Sequence, residues 1–164
     1  MNENESIVHT RDPPIPKSVF EYVINPAIKA ILRSPLHGIL SDTLLLITFT
    51  GRKSGNEYTT PVGYEQRGET LYITSQTDRV WWKNLRGGTS VTVRLRGEQR
   101  QGKAQVIEND TAVAEYVLEY IDRHGIDSVN RLAIAIESDE PPSKDVLAAG
   151  LSDTVVVEVN LQDE

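Results

Sequence analysis

Apolar residues early in the chain recur at helical spacing, with Phe20, Ile24, Ala27, Ile28 and Ile31 on one stripe. Asn25 and Pro26 stand as N-cap and first helical residue of a second piece, so the pattern predicts a kinked amphipathic helix over about 17–33, stopped by Ser34-Pro35. From Thr43 the period changes to two. Strands are predicted at about 43–50, 57–66, 69–75, 89–97, 101–108 and 154–161. In the fourth of these, Val91, Val93 and Leu95 alternate with Thr92, Arg94 and Arg96, which gives one core face and one polar face. Turn residues fall at Gln66–Glu69 and between Arg96 and Gly102.

Between strands, Asp78 to Leu85 forms a crossover in which Trp81-Trp82 occupy a short helical turn ending at Arg86-Gly87-Gly88. Asp110 can cap a helix over 111–124, with Val113, Val117, Leu118 and Ile121 on one side and Gly125 as its stop. A second helical pattern runs from Val129 to Ile136, before a break at Pro141-Pro142. Residues 1–15 are polar, with Pro13, Pro14 and Pro16 nearby, and read as a loosely ordered lead-in. Six strands joined mostly by hairpins favour an antiparallel barrel, which leaves no exposed edge. A doubly wound parallel sheet would need helices between most strands, and the pattern has none there.

Length and composition narrow the chemistry. At 164 residues the chain holds one domain with its own core, taken as 1–164. The absence of cysteine removes thiol nucleophiles, thiolate metal sites and disulfides. His9, His37 and His124 lie far apart in sequence, so no metal site is expected. The formal charge of −7 argues against nucleic-acid binding, which needs clustered Lys and Arg. Locally the sign reverses, because Arg79, Lys83, Arg86, Arg94, Arg96, Arg100 and Lys103 crowd one stretch, which suits a compact anionic ligand. Arg94, Arg96 and Arg100 also fit a plain solvated strand face. No window reaches the roughly 18 apolar residues of a bilayer span, and the first residues lack signal-peptide character. A cytoplasmic location follows as the expectation, with membrane contact by the N-terminal helix as the sharper alternative.

The segment Thr50-Gly51-Arg52-Lys53-Ser54-Gly55 joins two predicted strands. Two glycines four apart allow positive φ and close backbone approach, while Arg52, Lys53 and Ser54 add two cations and a hydroxyl, making an anion cradle. The bland alternative is a basic hairpin tip that meets only water.

Laid out in order, Leu44-Leu45-Leu46-Ile47, Thr50 to Gly55, Pro61-Val62, Ile73-Thr74-Ser75, Trp81-Trp82-Lys83-Asn84-Leu85 and Val91-Thr92-Val93 resemble the deazaflavin-dependent nitroreductase and quinone reductase family. The likeness covers roughly 37–107. Its specificity lies in the order and spacing of the glycine-rich and Trp-Trp-Lys-Asn-Leu motifs. The resemblance implies an α+β, mainly β fold: a six-stranded antiparallel split β-barrel with an N-terminal helix, a short crossover helix and helices before the last strand. It also implies hydride transfer from reduced coenzyme F420, which carries a phosphate and a polyglutamate tail, to a small conjugated acceptor such as a quinone or nitro compound. Carried over by position, Arg52, Lys53, Ser54 and Gly55 would hold the phosphate, Pro61 and Val62 would lie against the deazaflavin, Ser75 would reach its polar groups, and Trp81 and Asn84 would close the site.

Tyr58 stands where an arginine is common in the family and Gln76 where a lysine is common, and residues 126–149 are aliphatic and acidic where nitroreducing members carry a tyrosine-rich helix. Hydride transfer needs placement and water exclusion, not a nucleophile. Protonation of the acceptor falls to solvent or to a hydroxyl, with Tyr64 and Ser75 as the catalytic candidates and Tyr72 as a third. Adjacent Trp81 and Trp82 point about 100° apart on a helical turn, so one can pack inward while the other faces a groove. The alternatives are FMN in the same groove, or a non-catalytic cofactor or small-ligand binder. A homodimer follows by analogy with related barrels only.

Overall fold

A computed structural model describes Val8–Thr10 and residues 25–163. The expected N-terminal helix is present as α1, Asn25–Arg33, with Leu32 buried, while its first piece over 17–24 lies outside the described residues. The helix stops before Ser34-Pro35 as expected, with Ser34 in an extended conformation at ψ 170°. The Ser34 hydroxyl accepts the Leu36 N–H and opens a 3-10 turn, Pro35–Ile39.

The main sheet has seven strands, not the six expected: β2 (Leu44–Thr50), β3 (Glu57–Gly63), β4 (Glu65–Arg67), β5 (Thr70–Gln76), β6 (Thr89–Leu95), β7 (Glu98–Ile107) and β9 (Thr154–Leu161). Their order is β3-β2-β6-β7-β9-β5-β4, with β3 and β4 at the two ends. The extra strand arises because the run expected at 57–66 is cut at Tyr64. Gly63 pairs with Leu44, the first residue of β2, and the Tyr64 N–H still donates to the Thr43 carbonyl at 3.2 Å before the chain turns away. Residues 65–67 turn instead to pair with β5, Gln66 opposite Leu71. The pairings of β2 with β3 and β6, of β6 with β7, and of β4 with β5 are all antiparallel.

Arg96 and Gly97, at φ 48° and 82°, make a two-residue hairpin between β6 and β7, tighter than the turn expected up to Gly102. Gly97 is further required because a Cβ there would lie 2.6 Å from His37 Nε2.

The described residues group into two compact units. One comprises 13–73, 79–106 and 157–164 as far as these are described; its core follows the period-two pattern in β6, whereas Leu45, Leu46 and Ile47 of β2 are buried in succession. Leu45, Ile47 and Phe49 of β2 are buried together with Val91, Val93 and Leu95 of β6, and Ile47 sits opposite Val93. Trp82 and Leu85 are buried in the same unit, and α1 packs against β2 and β3.

The other unit comprises the described residues of 1–12, 74–78 and 107–156. Its long helix, α2 (Asp110–His124), buries Val113, Ala114, Tyr116, Val117, Tyr120 and Ile121. Its cap is Asn109, one residue before the expected Asp110, and the Asn109 side chain accepts the Ala112 N–H at 3.0 Å. Gly125 ends the helix as expected, its N–H reaching the Ile121 carbonyl at 2.7 Å.

The helical pattern expected over 129–136 is instead a 3-10 turn, Ile126–Leu132, followed by strand β8, Ile134–Ile136. Ala133 takes the left-handed conformation at φ 58°, which stops the helix, and the β-branched isoleucines then pair with β1, Val8–Thr10. Part of the expected lead-in is therefore ordered, with Val8 buried and the Thr10 hydroxyl donating to Asp153 at 2.7 Å. Helix α3 (Lys144–Gly150) packs on α2 and β1. Among the described residues no helix is long and apolar enough to cross a membrane, and no group of three His, Asp or Glu is placed to hold a metal.

Candidate functional site

The loop between β2 and β3 is held shut by its own backbone. The Gly51 N–H donates to the Asn56 carbonyl at 2.8 Å, and the Gly55 N–H donates to the Gly51 carbonyl at 2.9 Å, with Gly55 at φ 71°. Gly51 is needed for a different reason, since a Cβ there would meet Tyr58 Cε2 at 2.7 Å and Ser54 Oγ at 2.9 Å. Ser54 Oγ accepts the Asn56 N–H at 3.2 Å and lies 3.1 Å from the Tyr58 hydroxyl. Gly55 thus contributes its conformation, while its donor is spent inside the turn. The N–H groups of Lys53 and Ser54 carry no hydrogen bond to a described residue, and both residues are exposed.

This loop is fastened to the crossover turn Trp81–Leu85. The Arg52 N–H donates to Asn84 Oδ1 at 3.0 Å, and the Arg52 guanidinium donates to the Lys83 carbonyl at 3.3 Å. Asn84 Nδ2 donates to the carbonyls of Trp81 at 3.1 Å and Val80 at 3.3 Å. Asn84 and Arg52, both expected to touch ligand, therefore join the two motifs to each other. The indoles divide as their spacing predicts: Trp82 is buried and Trp81 half-buried. Lys83 Nζ at 5.7 Å and Arg86 Cζ at 4.9 Å lie over the Trp82 ring, so two cations stand on a buried aromatic beside the loop.

Two residues that sequence reasoning passed over complete the connection. Phe49 and Tyr58 are opposite partners on β2 and β3, with ring centroids 6.0 Å apart, and Phe49 is 6.2 Å from Trp81. The signal was available, since the last apolar residue before a tight loop faces the first aromatic after it. Tyr58, noted only as a departure from arginine, both fills the space above Gly51 and braces Ser54.

The remaining expected residues are placed as follows. Pro61 and Val62 are neighbours on β3, so their side chains point to opposite faces: Pro61 pairs with Leu46, and Val62 pairs with Leu45 on the face of Phe49 and Tyr58. The Tyr64 hydroxyl donates to the Ser41 carbonyl, and burial pushes its pKa above the usual tyrosine value, partly offset by the Arg96 guanidinium, with a smaller upward push from Asp42. Ser75 is half-buried and belongs to the other unit. The strand arginines are taken up locally: Arg94 donates to the Gly97 carbonyl, Arg96 to Gln66, and Arg100 to Glu69 at 2.7 Å. Of the basic run, Lys83 and Arg86 lie over the Trp82 ring.

A family model described as F420H(2)-dependent quinone reductase matches residues 33–123. No curated protein matches the chain. Among solved structures, an F420 reductase is 16% identical, with 82% of this chain and 93% of that chain covered and a TM-score of 0.43. An FAD and heme binding protein from Mycobacterium smegmatis is also 16% identical, covering 80% and 73%, with a TM-score of 0.43. The heme storage protein HutZ from Vibrio cholerae is 11% identical, covering 80% and 92%, with a TM-score of 0.46. At these TM-scores the likenesses to solved structures carry no argument.

Proposed function

The chain belongs to the F420H(2)-dependent quinone reductase family, and on that footing we propose that it passes a hydride from reduced coenzyme F420 to a quinone or similar small conjugated acceptor on a split-barrel fold. The observation that supports the reading is the tie between Arg52 and Asn84, which joins the glycine-rich loop to the turn that carries the half-buried Trp81.

The loop fits a phosphate. Two adjacent N–H groups, at Lys53 and Ser54, are left without a partner among the described residues, and successive amides can make an anion concavity to which the lysine would add its charge. If Tyr58 donates to Ser54, the serine oxygen accepts twice and its own proton is left to donate to the ligand. Lys53 and Ser54 then hold the phosphate, Gly51 and Gly55 shape the turn, and Arg52 with Asn84 position it. Trp81, backed by Phe49, covers the flat ring system, and Val62 lies on the same strand face as Tyr58 while Pro61 stiffens the backbone.

When bound, F420H2 would supply a hydride and lose a proton to solvent, and the hydride together with one proton taken up by the acceptor converts a quinone to a hydroquinone. The chain's part is to bind, orient and exclude water, and these need no nucleophile. Tyr64 is assigned a positioning role, because its proton is committed to the Ser41 carbonyl and burial holds it there. Proton delivery is assigned to solvent.

The test is oxidation of F420H2 by the purified full chain with a soluble quinone, followed by the absorbance of the oxidised deazaflavin. Quinone-dependent oxidation supports the reading. Binding without oxidation across quinones, enones and nitro compounds would leave a carrier rather than a reductase. The same loop could take the phosphate of FMN, and titrating both ligands into one preparation separates the two.

A further inference from the structure

The donors of the loop between β2 and β3 can be matched against the oxygens of a phosphate. The N–H groups of Gly51, Arg52, Gly55 and Asn56 are spent on Asn56, Asn84, Gly51 and Ser54, which leaves those of Lys53 and Ser54. Of the loop's cations, Arg52 turns its guanidinium to the Lys83 carbonyl at 3.3 Å. The Lys53 ammonium has no hydrogen bond or ion pair among the described residues, so it is the loop charge left to meet a ligand.

The residues that follow the loop add no positive charge. Glu57 is an exposed carboxylate without an ion pair among the described residues. Tyr58, neutral where an arginine is common in the family, is 47% exposed and shares its hydroxyl with Ser54 at 3.1 Å.

A phosphate esterified on both sides has two free oxygens and a single negative charge. A terminal phosphate has three free oxygens and, with a second pKa of about 6, carries nearly two charges at neutral pH. The N–H groups of Lys53 and Ser54, the Ser54 hydroxyl and the Lys53 ammonium give each oxygen of a diester two partners and match its one charge. A terminal phosphate is left with an oxygen short of donors and a second charge unmatched, with the Glu57 carboxylate two residues from Gly55. Unpaired charge of this kind is how a site rejects a near-identical ligand.

We propose that the Gly51–Gly55 loop discriminates by phosphate charge, taking a phosphodiester and disfavouring a terminal phosphate monoester, and that Tyr58 is the residue that sets this preference. The inference rests on the reading of the loop as the phosphate site of F420 and deepens it. A deazaflavin whose phosphate lies between ring side chain and tail is accepted, and a ligand that ends in its phosphate, as FMN does, is not.

The test keeps one ring and changes the phosphate: the phosphate-free deazaflavin, its terminal 5′-phosphate and F420 are titrated into the full chain by fluorescence at pH 7.5 and pH 5.5. At pH 7.5 F420 should bind about ten-fold more tightly than the terminal phosphate. At pH 5.5 most of that gap should close through tighter binding of the terminal phosphate, which then carries about one charge. Tyr58→Arg should close the gap at pH 7.5, whereas Tyr58→Phe, which adds no charge, should weaken both phosphates a few-fold and preserve it. Glu57→Gln, at an exposed position where folding is not at stake, should narrow the gap.

Equal affinity for F420 and the terminal phosphate at pH 7.5 would overturn the proposal, and so would a gap unchanged at pH 5.5 and in both Tyr58→Arg and Glu57→Gln. In those cases both phosphates still bind more tightly than the phosphate-free ring, and the phosphate-site reading stands. If neither does, that reading fails and the charge preference falls with it.

Discussion

The backbone N–H of Arg52 and the side-chain amide of Asn84, 32 residues apart, meet at 3.0 Å and join the glycine-rich loop to the tryptophan turn. Asn84 also caps its own turn through Val80 and Trp81, so one amide holds both motifs in register.

Asn84→Ala removes all three contacts. A net hydrogen bond is worth about 1 kcal/mol, so thermal or urea unfolding should show a loss of roughly 1–2 kcal/mol. F420 affinity should fall by about ten-fold, because the loop is no longer held beside Trp81. Asn84→Asp keeps an acceptor for Arg52 and should lose less affinity than the alanine. Equal losses in the two variants, measured by fluorescence titration, would show that the Arg52 tether is not what matters.

Gly51→Ala places a methyl group 2.7 Å from the Tyr58 ring and 2.9 Å from Ser54 Oγ. Overpacking of this kind costs about 1–3 kcal/mol. Tyr58→Ala removes the first clash, so the double variant should be more stable than the sum of the two single losses predicts. Urea midpoints of the four proteins check this, and strict additivity would mean that the ring simply moves aside.

Much of this was legible in the sequence. The period-two run from Leu44 to Thr50 gave β2 with its core face, and the adjacent tryptophans divided as helical geometry requires. What was not legible depends on partners distant along the chain. The run over 57–66 is divided at Tyr64 as residues 65–67 pair with β5, a matter of register that residues 57–66 do not encode. Residues 129–136 have a helical apolar pattern but become a strand because Val8–Thr10 offers an edge to pair with. In the site, the loop's glycines announced an anion cradle, yet the pattern could not reveal that the Gly55 N–H is spent on Gly51, or that Arg52 points back to the turn.

Tyr64 has a raised pKa, caused first by burial, so the folded state holds its proton more tightly than the unfolded chain with its value of 10.0. The sign follows: this contribution is intact below the unfolded value and is lost as pH rises from about 10 through the folded value. Wild type should therefore lose more stability than Tyr64→Phe over that alkaline range, as read from urea midpoints. At neutral pH the phenylalanine should cost about 1 kcal/mol for the lost bond to Ser41. Its kcat should stay within a few-fold of wild type, whereas removal of a true proton donor costs roughly a hundred-fold or more.

The most direct test is equilibrium binding of F420, and of the same deazaflavin lacking its phosphate, to wild type and to Lys53→Ala. A charge-assisted contact is worth about 1.5–3 kcal/mol, so the alanine should weaken F420 by about ten-fold or more and leave the phosphate-free deazaflavin nearly unchanged. If Lys53→Ala binds both ligands as wild type does, or if wild type fails to prefer the phosphate-bearing one, the Gly51–Gly55 loop is not the anion site.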